Sequence, residues 1–131
     1  IIRRSNASNL KGVAQVNGVN GLILLPDGWT CPSGVTFKSG FHDDYGKAYY
    51  ADYQTFSSSE WSKLEASGAV FLPAAGLRDG SDVYGVQYYG YYWSTTEGPD
   101  SSTYYLRFYS DESGMHHNYR TYGLSVRLVK D

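Results

Sequence analysis

The sequence predicts an α+β fold with one or two short helices and a β-rich C-terminal half. Three observations carry this. Only "SSSEWSKLEASG" (57–68) has the punctuation of a helix, with Ser57 and Glu60 at the spacing of a capping box and Gly68 placed to close the C-terminus. Residues 104–128 alternate with a period of two, and Gly, Asn, Asp and Ser punctuate the chain at short intervals.

In chain order, "LKGVAQVNGVNGLILLPDGWTCP" holds two Asn-Gly pairs and one Asp-Gly, read as tight turns flanking a short buried strand, Leu22 to Leu25. The stretch 37–56 has no clean period and reads as loop with short strands. In the helix, Trp61, Leu64 and Ala66 are expected to face the core. "AVFLPAAGLRDG" reads as an apolar strand ending in turn residues, and "GYYWSTT" as a strand with Trp93 as core anchor. Beyond it, Leu106 and Phe108 point inward and a turn spans Ser110 to Gly114. A polar strand then runs to Arg120, and Leu124, Val126 and Leu128 point inward. On that register Tyr105, Arg107 and Tyr109 occupy the opposite face.

At 131 residues the chain is long enough to bury one core, so residues 1–131 are read as a single domain. It begins "IIRR" without Met and is read as cut from a longer chain. The net charge of -2 and the absence of Lys/Arg runs argue against nucleic acid, and no apolar run is long enough to insert into a membrane. Cys31, the one cysteine, cannot form an intrachain disulfide and is read as a half-buried small residue. The sequon at Asn6 has meaning only in a eukaryotic secretory pathway, which nothing else supports.

Composition points to recognition. There are 14 tyrosines and 15 glycines. Tyr, Ser, Gly and Asn are the residues of adaptable binding surfaces, where Tyr gives rigid amphipathic area and the small polar residues give hydrogen bonds. The plain alternative is Tyr as strand filler. Distribution favours recognition, because ten of the 14 tyrosines lie between Tyr84 and Tyr122 and several are adjacent, so that only one of each pair can face a core.

The order "EWSKLEASGAVFLPAAG", "RDG", "YYWSTT" and "GLSVRLV" resembles the C-type-lectin-like fold in its bacterial form, the branch related to formylglycine-generating enzymes. It is most similar to the variable proteins of diversity-generating retroelements and their gut-bacterial and phage relatives, over residues 20–130. The resemblance implies a rigid scaffold with one exposed face whose positions hold Tyr, Asn, Ser, Asp, His, Gly or Thr, because mutagenesis acts on the adenines of Asn-type codons. Trp93, Leu106, Phe108, Gly114, Gly123, Val126 and Leu128 would be fixed. The ligand-binding positions would be Tyr84, Tyr88, Tyr91, Asp100, Ser101, Ser102, Tyr104, Tyr105, Arg107, Tyr109, Asp111, His116, His117, Asn118, Tyr119, Thr121 and Tyr122. Gln87, Glu97, Glu112 and Met115 depart from the pattern, since adenine changes in an Asn codon do not reach them.

No catalytic residues and no cofactor are expected. The cysteine pair of the formylglycine-generating enzymes is missing, and the adjacent His116 and His117 point to opposite faces of a strand, unsuited to one metal. Asp79 with Asp82 and Glu97 with Asp100 supply too few oxygen ligands for a calcium loop. Arg78 beside Asp79 and Arg120 near Asp111 read as surface pairs or loop clamps. The expected function is a variable receptor-recognition module, outside the cell on a bacterial surface or a phage virion, meeting a protein or glycan receptor. The alternative is a structural or assembly module of a surface fibre or phage tail, with the tyrosine face against a neighbouring subunit.

Overall fold

Asn17 and Gly18 close a hairpin between β1 (Lys11–Val16) and β2 (Val19–Leu24), with φ of 49° and 79°. Two central residues at positive φ give the turn whose twist matches that of its strands. This is a computed structural model, and it describes residues 10–41 and 50–128. The Asn6 sequon and residues 42–49 of the stretch 37–56 lie outside them.

The second Asn-Gly pair is not a turn, contrary to expectation. Gly21 lies within β2 opposite Ala14, where a Cβ would collide with the Leu72 carbonyl and the Phe71 ring. Glycine here serves close packing against β4 (Val70–Pro73), which pairs antiparallel with β2, while β3 (Thr55–Phe56) runs parallel to β1. The order is β3-β1-β2-β4.

Both faces of this sheet are buried, which explains why "GLILL" is continuously apolar. Val13, Leu22 and Leu72 project into one cluster with Tyr50, Ala74, Tyr92 and Phe108. Ala14, Val16 and Ile23 project into another with Leu25, Phe56, Leu64 and Ala69. Helix α2 (Ser58–Ala66) covers the second cluster through Leu64, with Trp61 half-buried against Phe71. Its capping box is complete. The Ser57 amide donates to Glu60 Oε2 at 2.9 Å and the Glu60 amide to Ser57 Oγ at 3.4 Å. That hydrogen bonding holds the Glu60 carboxyl below its usual range. At the other end Gly68, with φ of 96°, donates to the Glu65 carbonyl and Ala69 donates to that of Leu64, a Schellman closure. Ala66, expected inward, is exposed, because two residues beyond Leu64 is over half a turn around the helix.

A four-residue helix α1 (Tyr50–Tyr53) was not expected. It buries Tyr50 completely, with its hydroxyl donating to the Tyr88 carbonyl at 2.7 Å. Burial, reinforced by nearby Asp111, raises that phenol well above its usual range. A small hairpin follows, β5 (Leu77–Asp79) with β6 (Asp82–Tyr84), and then an antiparallel meander of β7 (Gly90–Glu97), β8 (Ser102–Phe108) and β9 (Ser113–Tyr119). The fold class is therefore α+β, with short helices and a β-rich C-terminal half.

Four expectations are corrected. Tyr92, not Trp93, is the inward residue of β7, since it shares the face of Gly90 and Phe108. The last turn is tighter, with the Tyr109 amide donating to the Glu112 carbonyl at 2.8 Å and Gly114 already inside β9. Val126 and Leu128 are 65% and 88% exposed. Their segment is held to β7 by the backbone of Ser125, which bonds Tyr91 and Trp93, and then runs past the core. Cys31 is exposed on a loop, donating to the Val35 carbonyl.

Candidate functional site

The register of the meander sorts its side chains strictly. Leu106 opposes Tyr92, and Phe108 opposes Gly90, on the face turned to the core. Phe108 is fully buried and stacks on Tyr92 at 6.2 Å. Gly90 makes room, since a Cβ there would overlap the Phe108 ring. The opposite, outer face carries Tyr91 and Trp93 from β7, Thr103, Tyr105 and Arg107 from β8, and His116 and Asn118 from β9.

These outer side chains form a continuous aromatic layer. Tyr105 is at its centre, with ring centroids 5.8 Å from Trp93 and 5.9 Å from both Tyr91 and His116. Tyr91 continues to Tyr89 at 6.1 Å, and Tyr89 to Tyr109 at 4.6 Å, edge to face. The Arg107 guanidinium lies 4.9 Å from the Tyr109 ring centre and pairs with Glu112 at 3.2 Å. Such contacts, at about 0.5–1.5 kcal/mol each beyond area burial, hold the rings in fixed orientations. Crowding lifts the Tyr91 hydroxyl to about 12, chiefly by desolvation and secondarily by Tyr109. Tyr109 is raised by the same desolvation, opposed by Arg107. Both phenols are thus neutral donors and acceptors at ordinary pH.

Tyr105 corrects the expectation that it is an exposed contact. It is on the outer face as the alternation predicts, yet only 8% exposed, because its own aromatic neighbours cover it. It holds the layer together, and the rings around it offer the surface. Tyr91, Trp93, Arg107, Tyr109 and His116 are half-buried, with part of each side chain at the surface.

Toward the N-terminal end of β7 the layer runs into an arch, residues 83–89, where Val83, Tyr84, Val86 and Tyr88 are about half exposed and Tyr89 is 39% exposed. Gln87 pins this arch. Its backbone is at φ 68°, its amide donates to the Ala74 carbonyl, and its side-chain and main-chain oxygens accept from Asn20 at 2.8 and 2.9 Å. A non-glycine residue in that region is uncommon and persists where surroundings fix it.

The remaining expected residues do not share the outer face. Tyr104, His117 and Tyr119 project from the core-side face, at the end of the meander that outruns the core. There Pro99, Asp100, Ser102, His117, Asn118 and Tyr119 line an open cleft of about 180 Å³. Ser102 is buried rather than displayed, and Ser101 is in the turn beside it. Asp111 is in the turn at the opposite end of the sheet, and Thr121 and Tyr122 follow β9. The expected pairing of Arg120 near Asp111 is replaced by Arg120 with Glu97 at 3.1 Å, and Arg120 also donates to Thr103 at 3.0 Å. Tyr89, Trp93 and Thr103 are the outer-face residues that sequence reasoning missed. The parity of Trp93 with Tyr91 was the available signal.

His116 and His117 do point to opposite faces, one stacked on Tyr105 and the other edge-on to Tyr104. Among the described residues no three His, Cys, Asp or Glu side chains converge to hold a metal.

Residues 46–129 match the model of a domain family of unknown function, DUF8237. The chain belongs to that family. The DUF8237 match takes in α1, α2 and every strand from β3 to β9, so it contains the whole aromatic layer, the arch and the cleft. No curated protein and no solved structure matches the chain.

Proposed function

We propose that this DUF8237 chain is a binding module, not an enzyme, that recognises a macromolecular receptor through the outer face of β7–β8–β9 and the adjoining arch. The observation that carries the reading is the aromatic layer from Tyr89 through Tyr91, Trp93, Tyr105 and Tyr109 to His116. Rings already fixed by one another lose little conformational freedom on binding, and Tyr, Trp and Arg are the side chains that dominate interface energetics. Arg107 beside Tyr109, with hydroxyl tips and Asn118 at the rim, suits a protein receptor better than a deep small-molecule pocket would.

The likeness to the C-type-lectin-like variable proteins of diversity-generating retroelements belongs to the same proposal, as does an extracellular setting on a bacterial surface or a phage virion. The segregation of side chains suits such a scaffold, since outward positions can change while Gly90, Tyr92, Leu106 and Phe108 hold the fold. Sequencing the gene from many isolates tests this. Substitutions should concentrate at Tyr84, Tyr88, Tyr109, His116, Asn118 and similar outward positions, by adenine changes. An even spread, or frequent change at Tyr92 and Phe108, would overturn it.

The assembly reading has one observation of its own, the exposed apolar arch of Val83, Tyr84, Val86 and Tyr88. Sedimentation over a wide concentration range separates the two. A monomer throughout supports recognition of a foreign receptor, and an oligomer abolished by Tyr88→Asp supports a subunit contact.

A further inference from the structure

The cleft at the far end of the meander is on the opposite side of the sheet from the aromatic layer, and its chemistry is different. Its floor is Ser102, 5% exposed, whose hydroxyl donates to the Pro99 carbonyl. With that proton committed, Ser102 Oγ can only accept from His117 Nδ1, 3.4 Å away, which leaves Nε2 of the neutral imidazole as an acceptor. The His117 ring is braced edge-on by Tyr104 at 5.6 Å. Gly98 closes the back of the wall so tightly that a Cβ would collide with Ser102 Oγ. Asn118 borders the cleft from the strand, but its side chain belongs to the outer face opposite Thr103, with its amide oxygen accepting from the Tyr119 amide at 2.8 Å. Asp100 supplies a carboxylate, and Tyr119, 65% exposed, supplies an aromatic wall.

The turn that brings these groups together is held in a costly shape. Asp100 and Ser101 have φ of 51° and 62°, the Ser102 amide donates to the Pro99 carbonyl, and the Gly98 amide to that of Ser102. Hairpin turns with two positive φ values are ordinarily built from Asn-Gly, as at Asn17-Gly18 in this chain. Asp and Ser give up that ease and in exchange put a carboxylate at the cleft mouth. Strain kept at such a place is a pointer to ligand handling.

We propose that this cleft is a subsite for a single saccharide ring, neutral or amine-bearing. A sugar presents adjacent hydroxyls, each donor and acceptor, which match the carboxylate and the imidazole nitrogen, and an apolar C–H face that lies against the Tyr119 ring. The volume of about 180 Å³ is below the ~300 Å³ at which drug-sized sites begin, so one ring fits and an extended chain does not. Asp100 is the only formally charged side chain in the lining, and Arg120, the nearest strand-end cation in sequence, belongs to the outer face with Glu97. An anionic sugar is therefore disfavoured and an amino sugar favoured.

The test is a two-dimensional amide NMR titration of the intact chain with glucose, glucosamine and glucuronate. Glucose and glucosamine should shift the amides of Asp100, Ser101, Ser102, His117, Asn118 and Tyr119 with dissociation constants of order millimolar, as for a small ring held by few groups. Tyr119→Ala should weaken both by about tenfold or more. Asp100→Asn, which keeps a residue tolerant of positive φ, should weaken glucosamine by about tenfold and glucose by less than about threefold. Tyr109→Ala, on the outer face, should change neither, which separates this subsite from the receptor face. The amide spectrum of each variant reports directly that it is folded. Absence of cleft shifts with either sugar at ~100 mM, equal shifts in Tyr119→Ala, or glucuronate binding as well as glucosamine would each overturn the proposal.

Discussion

Val13, Leu22 and Leu72 fill one side of the four-stranded sheet, and Ala14, Val16 and Ile23 fill the other, so both of its faces are interior. The three-stranded meander gives only Gly90, Tyr92, Leu106 and Phe108 to the core and turns Tyr91, Trp93, Tyr105, Arg107 and His116 outward. The first sheet is mostly aliphatic, with Phe56 and Phe71 at its edge strands, and is covered by a capped helix. The second has an aliphatic-aromatic inner face and an outer face whose rings, among the described residues, pack on one another and on Tyr89 of the arch. The difference teaches that burial and membership of the core are separate matters here. Tyr105 and Tyr92 are equally buried at 8%, but Tyr92 is covered by the scaffold and Tyr105 by its neighbours in the exposed layer.

Alanine substitutions can break or sharpen that contrast. Phe108→Ala should cost about 3 to 5 kcal/mol, because a fully buried ring between Gly90 and Tyr92 leaves a cavity that two strands cannot close. Tyr105→Ala should cost less, about 2 to 3 kcal/mol, since the partly exposed rings around it can lean into the gap. At Tyr119, 65% exposed, the loss should be within about 0.5 kcal/mol. Chemical denaturation of the three variants orders them. A Tyr105→Ala loss equal to that of Phe108→Ala would make the outer layer a second core.

Alkali gives a smaller and independent test. Burial raises Tyr91 to about 12 and also raises Tyr92 and Tyr109, so the folded state keeps protons that the unfolded chain gives up near 10. A raised folded pKa contributes stability that is complete below the unfolded value and is lost as pH climbs through the folded one. Stability should therefore fall between pH 10 and about 12, and ultraviolet titration should show a late-ionising set of tyrosines. In the Tyr91→Phe variant that late set should shrink by one. An unchanged late set would mean that Tyr91 is not in the layer as described.

Much of this was legible in residues with local causes. The capping box of Ser57 and Glu60, the Gly68 closure and the alternation from Tyr105 to Tyr109 all follow from contacts within a few positions. What was missed depends on partners far along the chain. Trp93 and Tyr92 are neighbours, and only the pairing of β7 with β8 decides which of them meets Phe108. Gly21 reads as a turn until β4 arrives beside it. Val126 and Leu128 continue an alternating pattern past the point where there is core to receive it. The expected binding list took Tyr84–Tyr122 as one region and so merged two faces of one sheet. A period of two cannot show that the β8–β9 end extends beyond the core, so that His117 and Tyr119 on the inward face line a cleft, with Tyr104 beside His117, instead of joining a hydrophobic cluster.

The central claim is that the inner face of the meander makes the fold and the outer face is left for recognition, and a pair of matched libraries tests it most directly. One randomises Tyr88, Tyr109, His116 and Asn118 to Tyr, Asn, Ser, Asp and His; the other randomises Tyr92, Leu106 and Phe108 to the same set. Protease resistance of displayed variants reads the folded fraction. The account predicts that most of the outer library remains folded and almost none of the inner library does, since each inner change removes about 2 to 5 kcal/mol from a domain whose total is about 5 to 15 kcal/mol. Equal collapse of both libraries would contradict it.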